Sequence, residues 1–327
     1  MTLETVGWGV VGPGGIAARF AEAMGVVDGG EIVAVASRSL ERAHAFGDRF
    51  GIPGRYGDGG DLLADPAVDA VYVATPHGRH EADTLAAVEA GRHVLCEKAF
   101  ALNAAQARRM AEAARARGVF LMEALWSRFL PPYRRLGALL EEGRIGEPLL
   151  VEADFGFRVP VAPEHRLFAP ALGGGALLDL GIYPVQLCAL VLGRPERVAA
   201  DGVVGETGVD EVVTGLLHHR RGLGVIKAAT RVALPCTARI SGSEGWIDLP
   251  AFMHCPTSLT VTAAGGTTEH IDTAWEGDGL RFEIEEVHRC LAAGRAESEV
   301  MPLDESIALM EVLDAMRAQL GVTYPGE

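Results

Sequence analysis

The chain has 327 residues, 49% of them hydrophobic, and carries a formal net charge of −15. This length suits two domains, each with its own buried core. The acidic balance, with a pI near 5.1, argues against nucleic acid and anionic membrane surfaces as partners, because polyanions are bound by clustered lysine and arginine.

The cysteines and the apolar runs favour a soluble protein of the reducing cytoplasm. The five cysteines include no C-x-x-C pair, and the first ten residues lack the basic start and long apolar core of a signal peptide. Glycine, proline and charged residues interrupt every apolar run before it reaches the roughly 20 residues of a membrane-spanning helix. We therefore expect no membrane partner.

The first part of the chain alternates short apolar runs with charged, alanine-rich amphipathic segments. This alternation predicts βαβ units and a doubly wound parallel sheet, which binds ligands at its carboxyl edge. We assign residues 1–124 to this domain. Its predicted strands are 6–11, 31–37, 69–75, 93–98 and 119–124.

A glycine-rich turn follows the first predicted strand. Gly12, Gly14 and Ala17 satisfy the pattern G-x-G-x-x-G/A, in which the glycines permit a tight turn and a close approach of the backbone to a pyrophosphate. Gly15 and Ile16 then begin a helix whose amide groups face the phosphates. The turn predicts a dinucleotide site, and an ordinary glycine-rich turn is the alternative.

The end of the second predicted strand bears on the choice of cofactor. It carries Ser37 and Arg38, where an NAD-binding domain usually has an acid that accepts hydrogen bonds from the ribose 2′-OH. A hydroxyl and a guanidinium suit a 2′-phosphate, and Arg42 lies four residues later on the same helix face. The sequence favours NADP, with NAD possible; alternatively, both arginines are solvated charges at a helix start.

Polar residues also follow two later strands of this domain. Thr75, His77 and His80 are candidates for contact with nicotinamide or substrate, and their H-x-x-H spacing without further ligands does not predict a metal site. Glu97 and Lys98 end the next strand, where a turn usually has glycine, asparagine or serine. A lysine there can hold a substrate hydroxyl and relay a proton; a surface salt bridge is the alternative.

The pattern changes near Trp126, and residues 125–327 predict a second, α/β domain. It combines helices with a large, open and mostly antiparallel sheet of short strands joined by glycine and proline turns. We expect the last helix to pack back on the first domain. The predicted helices are 130–146, 176–192, 279–294 and 303–321, and the predicted strands are 147–157, 197–204, 210–219, 223–231, 237–243, 245–250 and 258–265.

An acid and a phenol, Asp179 and Tyr183, stand four residues apart in an apolar stretch. They share one face if this stretch is helical. A buried carboxylate needs a partner, and Lys98 is the natural candidate. The alternative is that Asp179 caps the helix and Tyr183 is a core aromatic, and Pro184 favours such an irregular start.

Four segments, GVVGPGGIA, CEKAF, MEALWSRFLP and GGGALLDLGIYPV, occur in the order seen in the glucose-fructose oxidoreductase, inositol dehydrogenase and rhizopine catabolism (Gfo/Idh/MocA) family. The chain resembles this family over essentially its whole length. Its D-x-G-x-Y spacing is most similar to the branch of dimeric dihydrodiol dehydrogenases and NADP-dependent xylose dehydrogenases. The resemblance implies an N-terminal Rossmann domain and a C-terminal α/β domain that carries the substrate pocket and often a dimer interface.

The resemblance also implies residue roles. Lys98 matches the lysine that positions the substrate, Asp179 matches the motif acid, and Tyr183 matches the proton donor and acceptor. Arg38 and Arg42 match the arginines that bind the 2′-phosphate. The chain departs from the family after Lys98, where Ala99 replaces a proline that is commonly in a cis peptide, and this change loosens the expected geometry of the turn.

The implied reaction is reversible hydride transfer between NADP(H) and a carbinol carbon of a sugar, cyclic polyol or dihydrodiol, catalysed by a homodimer or higher homo-oligomer. Within the same family, the alternatives are a glycosidase that uses transient oxidation by NAD and a cofactor-binding regulator without turnover. Candidate substrate-binding residues are Trp126, Arg128, Phe157 and Phe282.

Overall fold

The structure is a computed structural model that describes residues 5–327. Its contacts divide the chain into two compact units, each with its own sheet. Unit 1 comprises Met1–Trp126 and Gly277–Ile307, and unit 2 comprises Ser127–Glu276 and Ala308–Glu327.

Unit 1 contains a parallel sheet, as predicted, and the sheet has six strands rather than the five that the sequence indicated. Its strands are β1 (Val6–Val11), β2 (Gly30–Ala36), β3 (Gly54–Tyr56), β4 (Ala70–Val73), β5 (His93–Glu97) and β6 (Leu121–Ala124). They lie in the order β3-β2-β1-β4-β5-β6, which is that of a Rossmann fold. The connecting helices are α1 (Gly15–Met24), α2 (Leu40–Phe50), α3 (Gly59–Ala64), α4 (His77–Glu89) and α5 (Ala104–Arg117).

Aromatic packing joins α1 to the middle of this sheet. The ring of Phe20 stacks on that of Tyr72, with centroids 3.9 Å apart, and meets Trp8 edge to face at 5.3 Å. All three side chains are fully buried. Helix α1 thus covers the middle of the sheet, and this cover explains why the central strands are apolar.

Unit 2 contains an eight-stranded sheet in the order β14-β13-β12-β11-β7-β10-β9-β8. Among the described strands of this sheet, β7 and β10 form the only parallel pair, so the predicted mostly antiparallel sheet is confirmed. Its elements are α6 (Pro131–Glu141), β7 (Pro148–Gly156), α7 (Ile182–Leu192), β8 (Arg197–Val204), β9 (Asp210–His219), β10 (Gly222–Ala229), β11 (Ala238–Gly242), β12 (Gly245–Leu249), β13 (Ser258–Ala263) and β14 (Thr268–Asp272).

Helix α7 lies against β7 and β10. A Cβ atom on Gly224 would come within 2.7 Å of Cys188 Sγ, so glycine allows this close approach. The segment Pro170–Leu192 is long and apolar enough to cross a membrane, with a mean hydropathy of 1.7, but 78% of its most apolar stretch is buried within the protein. Its apolar residues therefore serve the core of unit 2.

Two helices complete the chain, α8 (Arg281–Ala292) and α9 (Leu303–Leu320). Helix α8 belongs to unit 1, where it packs on α1 and His288 accepts a hydrogen bond from Trp8 Nε1 at 3.0 Å. Helix α9 begins in unit 1, but residues from Ala308 onward belong to unit 2. The units thus differ from a simple division at residues 124 and 125, because Gly277–Ile307 returns to unit 1.

The sequence did not predict β3 or β14. Strand β3 has only three residues. Strand β14 is an edge strand with mostly exposed polar residues, so it lacks the apolar alternation that indicates a strand.

Candidate functional site

The turn between β1 and α1 has the geometry of a phosphate-binding loop. Gly12 has a φ of +91°, and a Cβ atom there would lie 2.9 Å from the carbonyl oxygen of Ala74. A Cβ atom on Gly14 would meet only the Gly12 carbonyl oxygen, 4.0 Å away. Gly14 is also the N-cap of α1 and provides no side-chain cap. The open space and the amide groups of Gly15 and Ile16 fit a pyrophosphate.

The end of β2 places two exposed arginines near this loop. Arg42 donates to the carbonyl oxygen of Pro13 at 3.2 Å, and Arg38 is exposed at the start of the same connection. The hydroxyl of Ser37 accepts from the amide of Ser39 at 3.3 Å. This arrangement brings Arg42 to the glycine turn and leaves the guanidinium of Arg38 accessible to a phosphate.

The residues after β4 contact the turn after β5. His77 Nε2 lies 3.2 Å from the carbonyl oxygen of Lys98. His80 is fully buried, and its two ring nitrogens lie 2.8 and 2.9 Å from the carbonyl oxygens of Thr75 and Ala99. Burial lowers the pKa of His80. Both histidines therefore brace the backbone around Lys98, and their contact with a cofactor stays a prediction.

The turn that carries Lys98 is held by buried carboxylates. Glu97 accepts a short hydrogen bond from the Tyr72 hydroxyl and one from the amide of Lys98 at 3.2 Å. Burial raises the pKa of Glu97. Glu123 accepts from the amide of Phe100 at 3.0 Å. The Lys98 to Ala99 peptide bond is cis, the form that the resemblance implies for the usual proline.

The two candidate substrate-binding aromatics of unit 1 each lie beside an arginine. The guanidinium of Arg19 lies 5.0 Å from the centre of the Trp126 ring, and both of its hydrogen bonds to Asp278 are shorter than 3 Å, at 2.8 and 2.9 Å. Phe282 lies under the guanidinium of Arg281, 4.6 Å away. Among residues 5–327, no three His, Cys, Asp or Glu side chains are grouped as metal ligands would be.

In unit 2, Asp179 lies inside a single π-helical turn, Leu177–Gly181, that leads directly into α7. The predicted helix over 176–192 is thus present, but it begins with a π turn. The N-cap position belongs to Ala176, so Asp179 is not the helix cap. Asp179 and Tyr183 therefore lie on either side of the junction between the π turn and α7.

The carboxylate of Asp179 is paired with Arg166, which the sequence reasoning missed. The guanidinium donates to both carboxylate oxygens, at 2.9 and 3.4 Å. The side chain of Asp179 is 7% exposed and that of Arg166 53%. Sequence reasoning missed Arg166 because it lies in an irregular segment without any periodic pattern. The predicted pairing of Asp179 with Lys98, a residue of unit 1, stays a prediction.

Tyr183 belongs to an aromatic cluster formed by Phe155, Phe157, Tyr183, Phe252 and His254. The His254 ring stacks on Phe155 at 4.5 Å and lies 4.9 Å from Tyr183. Phe155 also meets the Tyr183 ring at 5.5 Å. Phe157 and Phe252 are 38% and 60% exposed, whereas Tyr183 is buried, so the cluster combines accessible apolar rings with a buried phenol.

Arg128, a predicted substrate-binding residue, is buried in a polar network of unit 2. It donates to the side chain of Gln186 at 2.6 Å. Gln186 in turn donates to Tyr133, whose hydroxyl donates to the carbonyl oxygen of Met253. Burial raises the pKa of Tyr133. This network ties α6 and α7 to the loop that carries His254, and the role of Arg128 in binding stays a prediction.

The two parts of the chain match two family models. Residues 6–125 match the model described as "Oxidoreductase family, NAD-binding Rossmann fold". Residues 133–248 match the model of the GFO/IDH/MocA C-terminal domain. Together they cover more than half of the chain.

Curated proteins and solved structures are similar over nearly the full length. Trans-1,2-dihydrobenzene-1,2-diol dehydrogenase of Xenopus laevis is 38% identical over 97% of this chain and 99% of its own. An aldose-aldose oxidoreductase from Caulobacter crescentus, solved with glycerol, is 25% identical with a TM-score of 0.87 over 96% of this chain and 97% of its own. A 3-ketoreductase from Actinomadura kijaniata, solved with NADP and TDP-benzene, is 28% identical with a TM-score of 0.85 over 97% and 98%.

The pairing of Arg166 with Asp179 can be tested by stability. We expect Arg166→Met to lower the free energy of unfolding by about 1 kcal/mol, because the buried carboxylate loses a cation that is itself half exposed. In a urea-denaturation cycle with Asp179→Asn, the two effects should be non-additive by about 0.5 kcal/mol or more. Arg158→Met, at an exposed arginine of the same segment, is the matched control and should cost less. Additive effects would contradict the pairing.

Proposed function

Because the chain belongs to the Gfo/Idh/MocA family of oxidoreductases, we propose that it transfers a hydride between NADP(H) and a carbinol carbon of a dihydrodiol, cyclic polyol or sugar. The chain is a dehydrogenase that acts on CH–OH groups. The observation that carries the finer proposal is the buried phenol of Tyr183, four residues after a paired Asp179 and beside an accessible aromatic cluster.

The reaction roles follow from the chemistry of the side chains. When bound, the nicotinamide ring supplies or accepts the hydride. Tyr183 exchanges the proton of the substrate hydroxyl, but a free phenol with a pKa near 10 is a poor base at neutral pH. We assign Lys98 the role of favouring the phenolate by its positive charge and of holding the substrate hydroxyl. Asp179, fixed by Arg166, orients the donors around that hydroxyl.

The aromatic cluster supports a cyclic substrate. A ring-shaped diol or polyol presents a flat C–H face that stacks on aromatic side chains and leaves its hydroxyls for polar groups. Phe157 and Phe252 offer such faces because both are substantially exposed. The dihydrobenzene-diol substrate in the name of the 38% identical relatives has this shape.

The choice of NADP rests on the absence of an acid at the end of β2 and on Arg38 and Arg42. Arg42 already contacts the glycine turn, and Arg38 stands at the position where a 2′-phosphate would be met. NADP is also the cofactor of the solved 3-ketoreductase complex. The two exposed guanidinium groups therefore form the proposed 2′-phosphate site.

We expect Arg38→Ala to weaken NADP binding by about tenfold to a hundredfold, since a charge-assisted contact contributes on the order of 1.5–3 kcal/mol. The affinity for NAD should stay nearly constant. Fluorescence titration of both cofactors measures this. Arg49→Ala is a matched control, because Arg49 is an exposed arginine of α2 that pairs with Glu22. Equal affinities of the native protein for NADP and NAD would refute the preference.

The catalytic roles predict a specific loss of turnover. We expect Tyr183→Phe to lower kcat by about a hundredfold to ten-thousandfold with little change in NADP affinity, because the ring stays and only the transferable proton is lost. Lys98→Met should have a similar effect, and the double variant should lose far less than the product of both losses. NADPH absorbance in a screen of dihydrodiols, inositols and aldoses identifies the substrate for this assay.

The matched control is Tyr56→Phe, which removes a phenol hydroxyl that hydrogen-bonds Asp65 in unit 1. This variant should keep its kcat. Near-native turnover of Tyr183→Phe on the best substrate would show that Tyr183 is only a core aromatic.

We further propose that the chain forms a homodimer through the sheet of unit 2. Helix α7 covers the face on which Gly224 lies. Side chains alternate between the two faces of a strand, so Val225, the residue after Gly224, points to the other face. Val225 and the residues that pair with it in turn form one row across five strands: Leu216, Val225, Glu152, Arg239 and Asp248. This row has an apolar end and a charged end with both signs, so a second copy related by a two-fold axis could match it.

We expect a dimeric mass at micromolar concentration, measured by light scattering after size-exclusion chromatography. Leu216→Arg should shift the protein toward the monomer, because it places a charge at the apolar end of the row. Val26→Arg is the control, since Val26 is 62% exposed in unit 1 and Leu216 is 38% exposed. A monomeric mass for the native protein excludes the dimer.

A further inference from the structure

The start of the π turn rests on a buried carboxylate from a distant strand. Asp210 is the first residue of β9 and is fully buried. Its Oδ2 atom accepts a hydrogen bond from the amide of Leu177 at 2.6 Å. A Cβ atom on Gly175, whose φ is +127°, would lie 2.4 Å from Asp210 Oδ1. The glycine therefore lets the carboxylate reach the first turn.

Residues of α9 and of the segment that follows it also hold the glycine segment before this turn. The hydroxyl of Tyr324 donates to the carbonyl oxygen of Gly174 at 2.7 Å. The guanidinium of Arg317 lies 4.8 Å from the centre of the Tyr324 ring and donates to Glu327 at 2.5 and 2.7 Å. These contacts fix the path by which the chain enters the π turn.

We propose that Asp210 is a positioning residue, whose carboxylate fixes the first turn of the π-helix and thereby the orientation of Asp179 and Tyr183. Leu177, which donates to it, lies two residues before Asp179 in the same turn. The π turn has no side-chain cap of its own, so this acceptor replaces one. The proposal rests on the function proposed above for Asp179 and Tyr183.

The charge of Asp210 changes close to neutral pH. Burial raises its pKa to about 6 from an ordinary value of 3.8, against the opposing effect of the Leu177 and Ala176 amides and the charge of Arg317. Arg317 of α9 and the phenol of Tyr324 are the titratable or charged groups that face it, and Arg317 also binds Asp314 and Glu327. Above pH 7 the carboxylate is mostly ionised and accepts hydrogen bonds more strongly than the neutral acid.

Ionisation of Asp210 strengthens its hold on the π turn but lowers the stability of the folded chain. The pKa of Asp210 is higher in the folded chain than its ordinary value. Its contribution to stability is therefore fully present below about pH 3.8 and is lost as the pH rises through about 6. At neutral pH the folded chain carries a buried charge that lowers its stability, and this cost accompanies the firmer hold on the π turn.

Asp210→Asn tests the role of this charge, since asparagine keeps the shape and one acceptor oxygen but resembles the protonated acid. The ratio of native to variant kcat should be near one at pH 5 and rise to about tenfold above pH 7, the difference between a charge-assisted and a neutral hydrogen bond. Its midpoint should lie at about pH 6. Ionisations shared by both proteins cancel in this ratio.

The matched control is Glu211→Gln at the neighbouring residue, a buried carboxylate that pairs with Arg231 at 3.0 Å. Its ratio of kcat values should not change with pH. Folding of the asparagine variant is checked by its Tm, because the native Tm minus the variant Tm should fall as the pH rises from about 5 to 7.5.

A second measurement needs no turnover. In protein labelled with 3-fluorotyrosine, the ¹⁹F resonance of Tyr183, assigned with Tyr183→Phe, should shift with a midpoint near pH 6 in the native chain and not in Asp210→Asn. A resonance that ignores pH, or that shifts equally in both proteins, overturns the positioning role. If the resonance shifts but no substrate is turned over, the positioning role stands and the proposed function fails.

Discussion

The hydrogen bond from the amide of Leu177 to the carboxylate of Asp210 is the contact on which the start of the helix with Asp179 and Tyr183 depends. Three consecutive glycines precede the π turn, and glycine alone gives a chain little conformational preference. The first amides of a helix also need an acceptor from outside. A single buried carboxylate meets both needs, because it provides the acceptor and defines where the helix begins. Asp179 and Tyr183 inherit their positions from that point.

The two buried acids of unit 2 are accommodated in different ways. Asp179 is neutralised by the guanidinium of Arg166, which remains half exposed. Asp210 has backbone amides at its carboxylate and only the more distant charge of Arg317, so burial raises its pKa to about 6. The backbone amides lower the pKa of Asp210, but burial of its charge has the larger effect, so the pKa stays raised. The same helix junction therefore combines an ion pair at Asp179 with a titratable carboxylate at Asp210.

The fold could be predicted largely because its signals are local. Apolar runs marked the central strands of unit 1, and the glycine pattern marked the turn at Gly12, whose positive φ restricts the residue type. Phe155, Phe252 and His254 of the aromatic cluster could not be found in this way, and neither could Arg166 or Asp210. Arg166 is in an irregular segment, and Asp210 contacts Leu177 across 33 residues of sequence. A continuous apolar run also cannot distinguish a π turn from an α-helical one.

This difference between local and distant signals corresponds to two kinds of binding chemistry. In unit 1, the phosphate loop acts through backbone amides, so its geometry demands glycine at fixed spacings and leaves a motif. In unit 2, the phenol, the acid and the aromatic rings are held by side chains from β7, β9, the irregular segment of Arg166 and the loop of His254. Such partners come from separate parts of the chain and leave no motif of fixed spacing. The glycine turn of unit 1 is thus constrained by the backbone itself, whereas the surroundings of Asp179 and Tyr183 are set by side chains from separate parts of the chain.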